Sequence, residues 1–202
     1  MFTKRPAPPQ DSQSIATLTR QLSVGDLVFI RVRAALFLQV AESTGSWTNH
    51  VGIVTQDGDK PQIAESRFPL SGHTTLRQFV RRSAAGRVAV ARLRQPISDH
   101  QRTLIARAAT RRARILYDTG FDLYSRRQYC SRFVREVVAE ATGVELGAVQ
   151  TFAQLLQQRP DSNIGFWTLW YFGRIPWQRR TVTPASLLHS PDVEWVFDGT
   201  AS

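Results

Sequence analysis

The chain has almost no sulfur, with one cysteine, Cys130, and one methionine among 202 residues. A single thiol excludes an internal disulfide, so the fold must rest on its core, and no cysteine framework points to an oxidising compartment. Lysine is nearly missing too: of the 26 basic residues only Lys4 and Lys60 are lysines. A net charge of +10 ordinarily suggests nucleic acid or anionic lipid. Phosphate-binding surfaces usually mix the two cations, so the arginine skew is read as a soluble, arginine-rich surface with no specific nucleic-acid partner. No run approaches 18 apolar residues, and the opening "MFTKRPAPPQDSQS" has a basic start without an apolar stretch behind it. The expectation is a cytoplasmic protein with no transmembrane segment.

What is present is an apolar fraction of 42%, enough for one domain with a real core. Residues 1–23 read as an arm and a short helix ("IATLTRQLS"), 24–198 as one domain, and 199–202 as a tail. "VGDLVFIRV" (24–32) and "GRVAVARL" (86–93) read as strands. "HVGIVTQDGDKPQIAES" (50–66) reads as a hairpin turning at Asp57-Gly58. "RAALFLQVAESTGSWTN" fits helix or inserted loop equally. "TTLRQFVRRS" and "RTLIARAATRRARIL" (102–116) read as helices, the second with Leu104, Ile105, Ala108, Ala109, Ile115 and Leu116 inward. After Gly143 the pattern becomes irregular, with an aromatic block at 164–177, then "TPASLL" and a last strand over 193–198. Strands first and helices later argue for an α+β fold with a mostly antiparallel sheet packed against helices.

Cys130 stands where the basic stretch "RRQYCSR" passes into a helical pattern, with Phe133, Val134, Val137, Val138 and Ala141 at i, i+3, i+4 spacing. At a helix N-terminus the unpaired N–H groups and the positive end of the macrodipole favour a thiolate, and Arg127 and Arg132 add to that field. Such a thiol is a candidate nucleophile; the alternative role is that of a small buried hydrophobe. A nucleophilic cysteine needs a base and a group that orients the base. Of four histidines, His50 alone opens an apolar strand. With a two-residue turn at Asp57-Gly58, Glu65 lies directly opposite His50; a slip of two residues leaves the pair diagonal on one face, and a slip of one separates them. The alternative is a polar pair on a solvated face. Cys130, His50 and Glu65 lack the close spacing of a metal site, so no metal and no cofactor are expected.

"VGDLVFI", "WTNHVGIV", "IAES", the Leu-Tyr-Asp to Phe-Asp stretch at 116–122, "YCSRFV" and "TPASLLHSPDVEWVF" together resemble, in this order, the YebB/YiiX-like proteins. These are circularly permuted papain-fold cysteine hydrolases of the NlpC superfamily, and the likeness runs from about residue 24 to 198. It implies that Cys130 is the nucleophile, His50 the base and Glu65 the orienter. The implied activity is hydrolysis of an amide, peptide or related acyl bond through a thioester; acyl transfer, as in the lecithin:retinol acyltransferase group, and non-catalytic binding of a small molecule or lipid are the alternatives. The oxyanion is expected at the backbone N–H of Cys130 and a second donor, Tyr117 or Tyr129. Trp47, Trp167, Trp170 and Tyr171 are candidate contacts for a small peptide-like, sugar-peptide or acyl substrate.

Overall fold

The computed structural model describes residues 11–201; the first ten residues of the expected arm lie outside them. Nine strands and eight helices follow in chain order among the described residues: β1 (Asp11–Gln13), α1 (Ile15–Gln21), β2 (Leu27–Val32), α2 (Ala35–Thr44), β3 (His50–Gln56), β4 (Gln62–Glu65), β5 (Gly72–Thr75), α3 (Leu76–Arg81), β6 (Ser83–Leu93), α4 (Asp99–Arg111), α5 (Cys130–Thr142), β7 (Gln150–Thr151), α6 (Phe152–Gln157), α7 (Ile164–Trp170), β8 (Arg180–Thr181), α8 (Pro184–Leu188) and β9 (Val193–Ala201). Seven strands form one sheet in the order β1-β9-β6-β2-β3-β4-β5, and every neighbouring pair is antiparallel except β1 with β9.

Alternation along the strands sends apolar side chains to both faces. On one face Phe29, Val51, Ile53 and Ala89 meet α4, α5 and α8 through Ile105, Phe133, Val137 and Leu187. On the other, Val28, Ile30, Val54, Ile63 and Val88 meet α1 and α3 through Leu18, Leu76 and Phe79. The sheet is thus buried on both sides.

Three differences from the sequence reading have physical causes. Residues 35–44, undecided between helix and loop, are the helix α2; its N-cap Ala34 offers no side-chain cap, which removes the usual start signal, and Gly45 ends it in the left-handed region (φ 59). Helix α4 stops at Arg111, short of Ile115 and Leu116. Arg114 turns the chain at φ 65, and Ser71 takes up the freed backbone, its Oγ donating to the Arg112 carbonyl at 2.5 Å and its N–H to that of Ile115 at 3.0 Å. Leu116, expected inward, is 53% exposed. Residues 11–13 and 199–201 were assigned to the arm and the tail, yet they are strand residues, because β9 continues past 198 and β1 pairs along it.

The hairpin register also differs. Ile53 pairs with Ala64 and Val54 with Ile63, two residues away from the two-residue-turn alignment. The connection is residues 57–61, with Gly58 at φ 82 and a bulge between Val54 and Gln56. His50 and Glu65 are therefore diagonal neighbours on one face.

Candidate active site

Cys130 is the first residue of α5. Tyr129 before it is extended and gives no side-chain cap, so the first-turn N–H groups keep their polarity for whatever lies at the helix end. That end is firmly held. The Tyr129 hydroxyl accepts from Thr181 Oγ1 and from the Val182 N–H, each at 3.1 Å, and Ser131 Oγ donates to the Val182 carbonyl at 2.8 Å. Of the two tyrosines considered as second oxyanion donors, Tyr129 thus has its hydroxyl committed to the 181–182 segment. Tyr117 instead points its hydroxyl at Cys130 Sγ, 3.9 Å away.

His50 opens β3, and its Nε2 meets Glu65 Oε2 at 2.6 Å. Both side chains are buried, His50 2% and Glu65 0% exposed. The second carboxylate oxygen accepts from Arg82 at 2.6 Å. Arg82 lies over the ring of Phe79 at 5.0 Å, and Phe79 in turn lies 5.7 Å from the imidazole. Strand parity puts His50 and Glu65 on the α3 face of the sheet, whereas Cys130 comes from α5 on the opposite face. The two meet because His50 is the first residue of its strand. Its ring sits at the end of the sheet, between Phe79 of one core and Phe37 at 6.1 Å beside the other. Ser66 ties the two halves together, donating from Oγ to the Gln128 carbonyl at 2.9 Å.

The charges follow from this packing. Burial by itself would push the imidazole pKa down, but the charge of Cys130 and then Glu65 raise it to about 9. Burial would push the thiol up; the charge of His50, with the Val51 backbone and the Tyr117 hydroxyl, brings it below its ordinary value. Glu65 is desolvated as well, and His50 and then Arg82 hold its carboxyl below the usual range. Each charged form therefore favours the other, a thiolate beside an imidazolium. Nδ1 of His50 is buried and makes no aligned hydrogen bond among the described residues. The arginines expected to activate Cys130 have other work. Arg132 pairs with Glu136 at 2.6 Å and donates to the Ser125 and Arg127 carbonyls, and Arg127 faces solvent.

Behind Cys130 lies a small cavity of about 40 Å³, lined by Phe121, Phe152, Leu155, Leu156 and Trp167 among others, and almost wholly apolar. Of the four aromatic candidates only Trp167 lines it. Trp170 and Tyr171 line a separate surface groove, and Trp47 lies under Arg87 at 4.6 Å, its carbonyl accepting from Arg31.

A histidine-bearing strand, a glutamate on the next strand and a cysteine at a later helix start reverse the chain order of an unpermuted papain-like site. The family described as permuted papain-like amidase enzyme, YaeF/YiiX, C92 family, matches residues 21–197. This chain belongs to that family. The chain is 25% identical over 183 residues to the uncharacterized protein YiiX of Escherichia coli strain K12, covering 91% of this chain and 90% of that one. It also resembles the crystal structure of the metalloprotein YiiX from Escherichia coli O157:H7, with a TM-score of 0.79 and 25% identity over 89% of this chain and 99% of that one. Sequence reasoning about this amidase-family chain missed Arg82, which sits among other arginines in "FVRRS", and Ser66, whose partner is 62 positions away.

Proposed function

We propose that the chain is a cysteine amidase in which Cys130 is the nucleophile, His50 the acid–base and Glu65 the orienter of the imidazole. The observation that carries this reading is the relay Arg82–Glu65–His50, buried at its glutamate and histidine, which leaves Nδ1 as the imidazole atom available to the thiol. In the proposed reaction Cys130 Sγ attacks the carbonyl carbon of an acyl amide. The oxyanion is held by the Cys130 N–H and the Tyr117 hydroxyl. His50 gives its Nδ1 proton to the departing amine, leaving a thioester. Water then attacks the thioester carbonyl while His50 accepts its proton, and the acid departs as the thiolate–imidazolium pair re-forms.

A metal reading, prompted by the description of YiiX as a metalloprotein, does not fit these residues. Among the described residues no three His, Cys, Asp or Glu groups converge to hold an ion, and the second oxygen of Glu65 is taken by a guanidinium. Acyl transfer has one observation in its favour: the apolar cavity suits a short apolar acyl group, and an alcohol or amine acceptor can replace water at the thioester.

The test is iodoacetamide labelling of Cys130 at mildly acidic pH, together with turnover of short N-acyl amides with and without an added alcohol. Fast labelling and hydrolysis lost in Cys130→Ala are expected. Slow labelling with no turnover would leave a binding protein, and an ester product would shift the reading to acyl transfer.

A further inference from the structure

Helix α7 has two unlike sides. Trp167 turns inward, donating from Nε1 to Ser43 Oγ at 2.9 Å. The other side and the turn after it carry Leu169, 78% exposed, Trp170, Phe172, 94% exposed, and farther on Trp177. The polar ends of Trp170 and Tyr171 are already used: Trp170 Nε1 donates to the Thr119 carbonyl at 3.1 Å, and the Tyr171 hydroxyl donates to that of Gly120 at 3.0 Å. Phe166 stacks on Trp170 at 5.8 Å. What Leu169 and Phe172 present to solvent is therefore apolar surface.

Phe172 carries a second signal. Its φ of 51 is in the left-handed region, where a bulky side chain is strained and glycine or asparagine is not. A ring 94% exposed gains almost nothing from the fold to offset that strain. Beside it in the same groove stand Arg174, exposed and without a carboxylate partner among the described residues, and Arg179, whose only carboxylate there is Asp122 at 3.8 Å. Protruding Phe and Leu, a Trp at their edge, the unpaired Arg174 and the loosely paired Arg179 match an anionic lipid interface: side chains enter the acyl boundary, and guanidinium groups meet phosphates.

We propose that the Leu169–Phe172 turn, with Arg174 and Arg179 beside it, docks the protein on the surface of an anionic phospholipid bilayer. The contact lies on the membrane and does not span it; among the described residues no helix is long and apolar enough to cross. Docking does not depend on the reaction at Cys130, although Trp167 of the same helix lines the cavity behind that residue.

The experiment is flotation of the full chain with vesicles of phosphatidylcholine alone and of phosphatidylcholine mixed with phosphatidylglycerol. Binding to the anionic vesicles is expected, and Cys130→Ser should retain it. Leu169→Ser with Phe172→Asn should weaken it at least about tenfold while the melting temperature stays level or rises, since asparagine accepts the φ at 172. Arg174→Ala should cost roughly fivefold on anionic vesicles and nothing on neutral ones. Absence of flotation, or flotation unchanged in the Leu169/Phe172 variant, would overturn the proposal. So would a concentration-dependent dimer that Phe172→Asn makes monomeric without any vesicle binding, which assigns the face to a second copy of the chain.

Discussion

Cys130 and His50 depend on each other for their charge states, and this makes residue-scale predictions sharp. His50 is held at about 9 by the thiol and Glu65, and the thiol is held low by His50. Activity should rise as the thiolate forms, at a pH below the ordinary thiol range, and fall as pH passes about 9, where the imidazolium loses its proton; kcat/KM against pH measures both limbs, which belong to the pair. Replacing His50 by Ala removes the charge that opposes desolvation. The labelling pKa of Cys130 should then move up, and turnover should drop by roughly a hundredfold to ten-thousandfold. Cys130→Ala should abolish turnover with little change in melting temperature, because one small side chain replaces another. Glu65→Gln should cost less than His50→Ala, since an amide oxygen still accepts from Nε2. Arg82 touches no reacting atom and acts through Glu65 as a positioning residue. Arg82→Gln should let the Glu65 carboxyl rise toward its ordinary value, shift the pH profile and lower kcat/KM about tenfold, with Arg82→Lys restoring part of it. A profile that stays unmoved while only stability falls would make Arg82 structural.

At the scale of elements, the site is a meeting of a strand start and a helix start. Gly52, two residues after His50, shows how tight the sheet is there. A Cβ on it would lie 2.5 Å from Ile63 Cγ2 and 3.0 Å from the Phe79 ring. Gly52→Ala should therefore push β3 away from β4 and α3 and cost about 1–3 kcal/mol in chemical denaturation. Because Phe79 also lies beside His50, part of that displacement should appear as lost activity. Alternation and helix phase made β3, β4 and α5 readable, and the diagonal alternative for His50 and Glu65 was among the alignments that parity allows. The five-residue connection was not readable, because Asp-Gly marks a turn without giving its length. Helix α2 was hidden by its missing cap, and β5 by the turn-like composition of "SGHTT".

Across the whole molecule the arginine surplus is dispersed and much of it is paired. Arg92 holds buried Asp26 at 2.7 Å, Arg112 reaches Glu136 and Glu140, and Arg135 pairs with Glu145. Binding to duplex DNA should accordingly fade by about 150 mM salt with no defined site size, in an electrophoretic titration. The sequence alone determined the α+β character, the helix that starts at Cys130 and the strand that starts at His50, because these rest on local periodicity and on single residues whose chemistry is rare in this chain. It also grouped 164–177 as one aromatic block without sorting its members. The tertiary structure decided that Trp167 is core while Phe172 faces solvent, that Tyr129 is tied to Val182 while Tyr117 reaches the thiol, and that Arg82 supports Glu65. Each of these turns on contacts between segments far apart in the chain, and sequence spacing carries no term for the distance across a folded core.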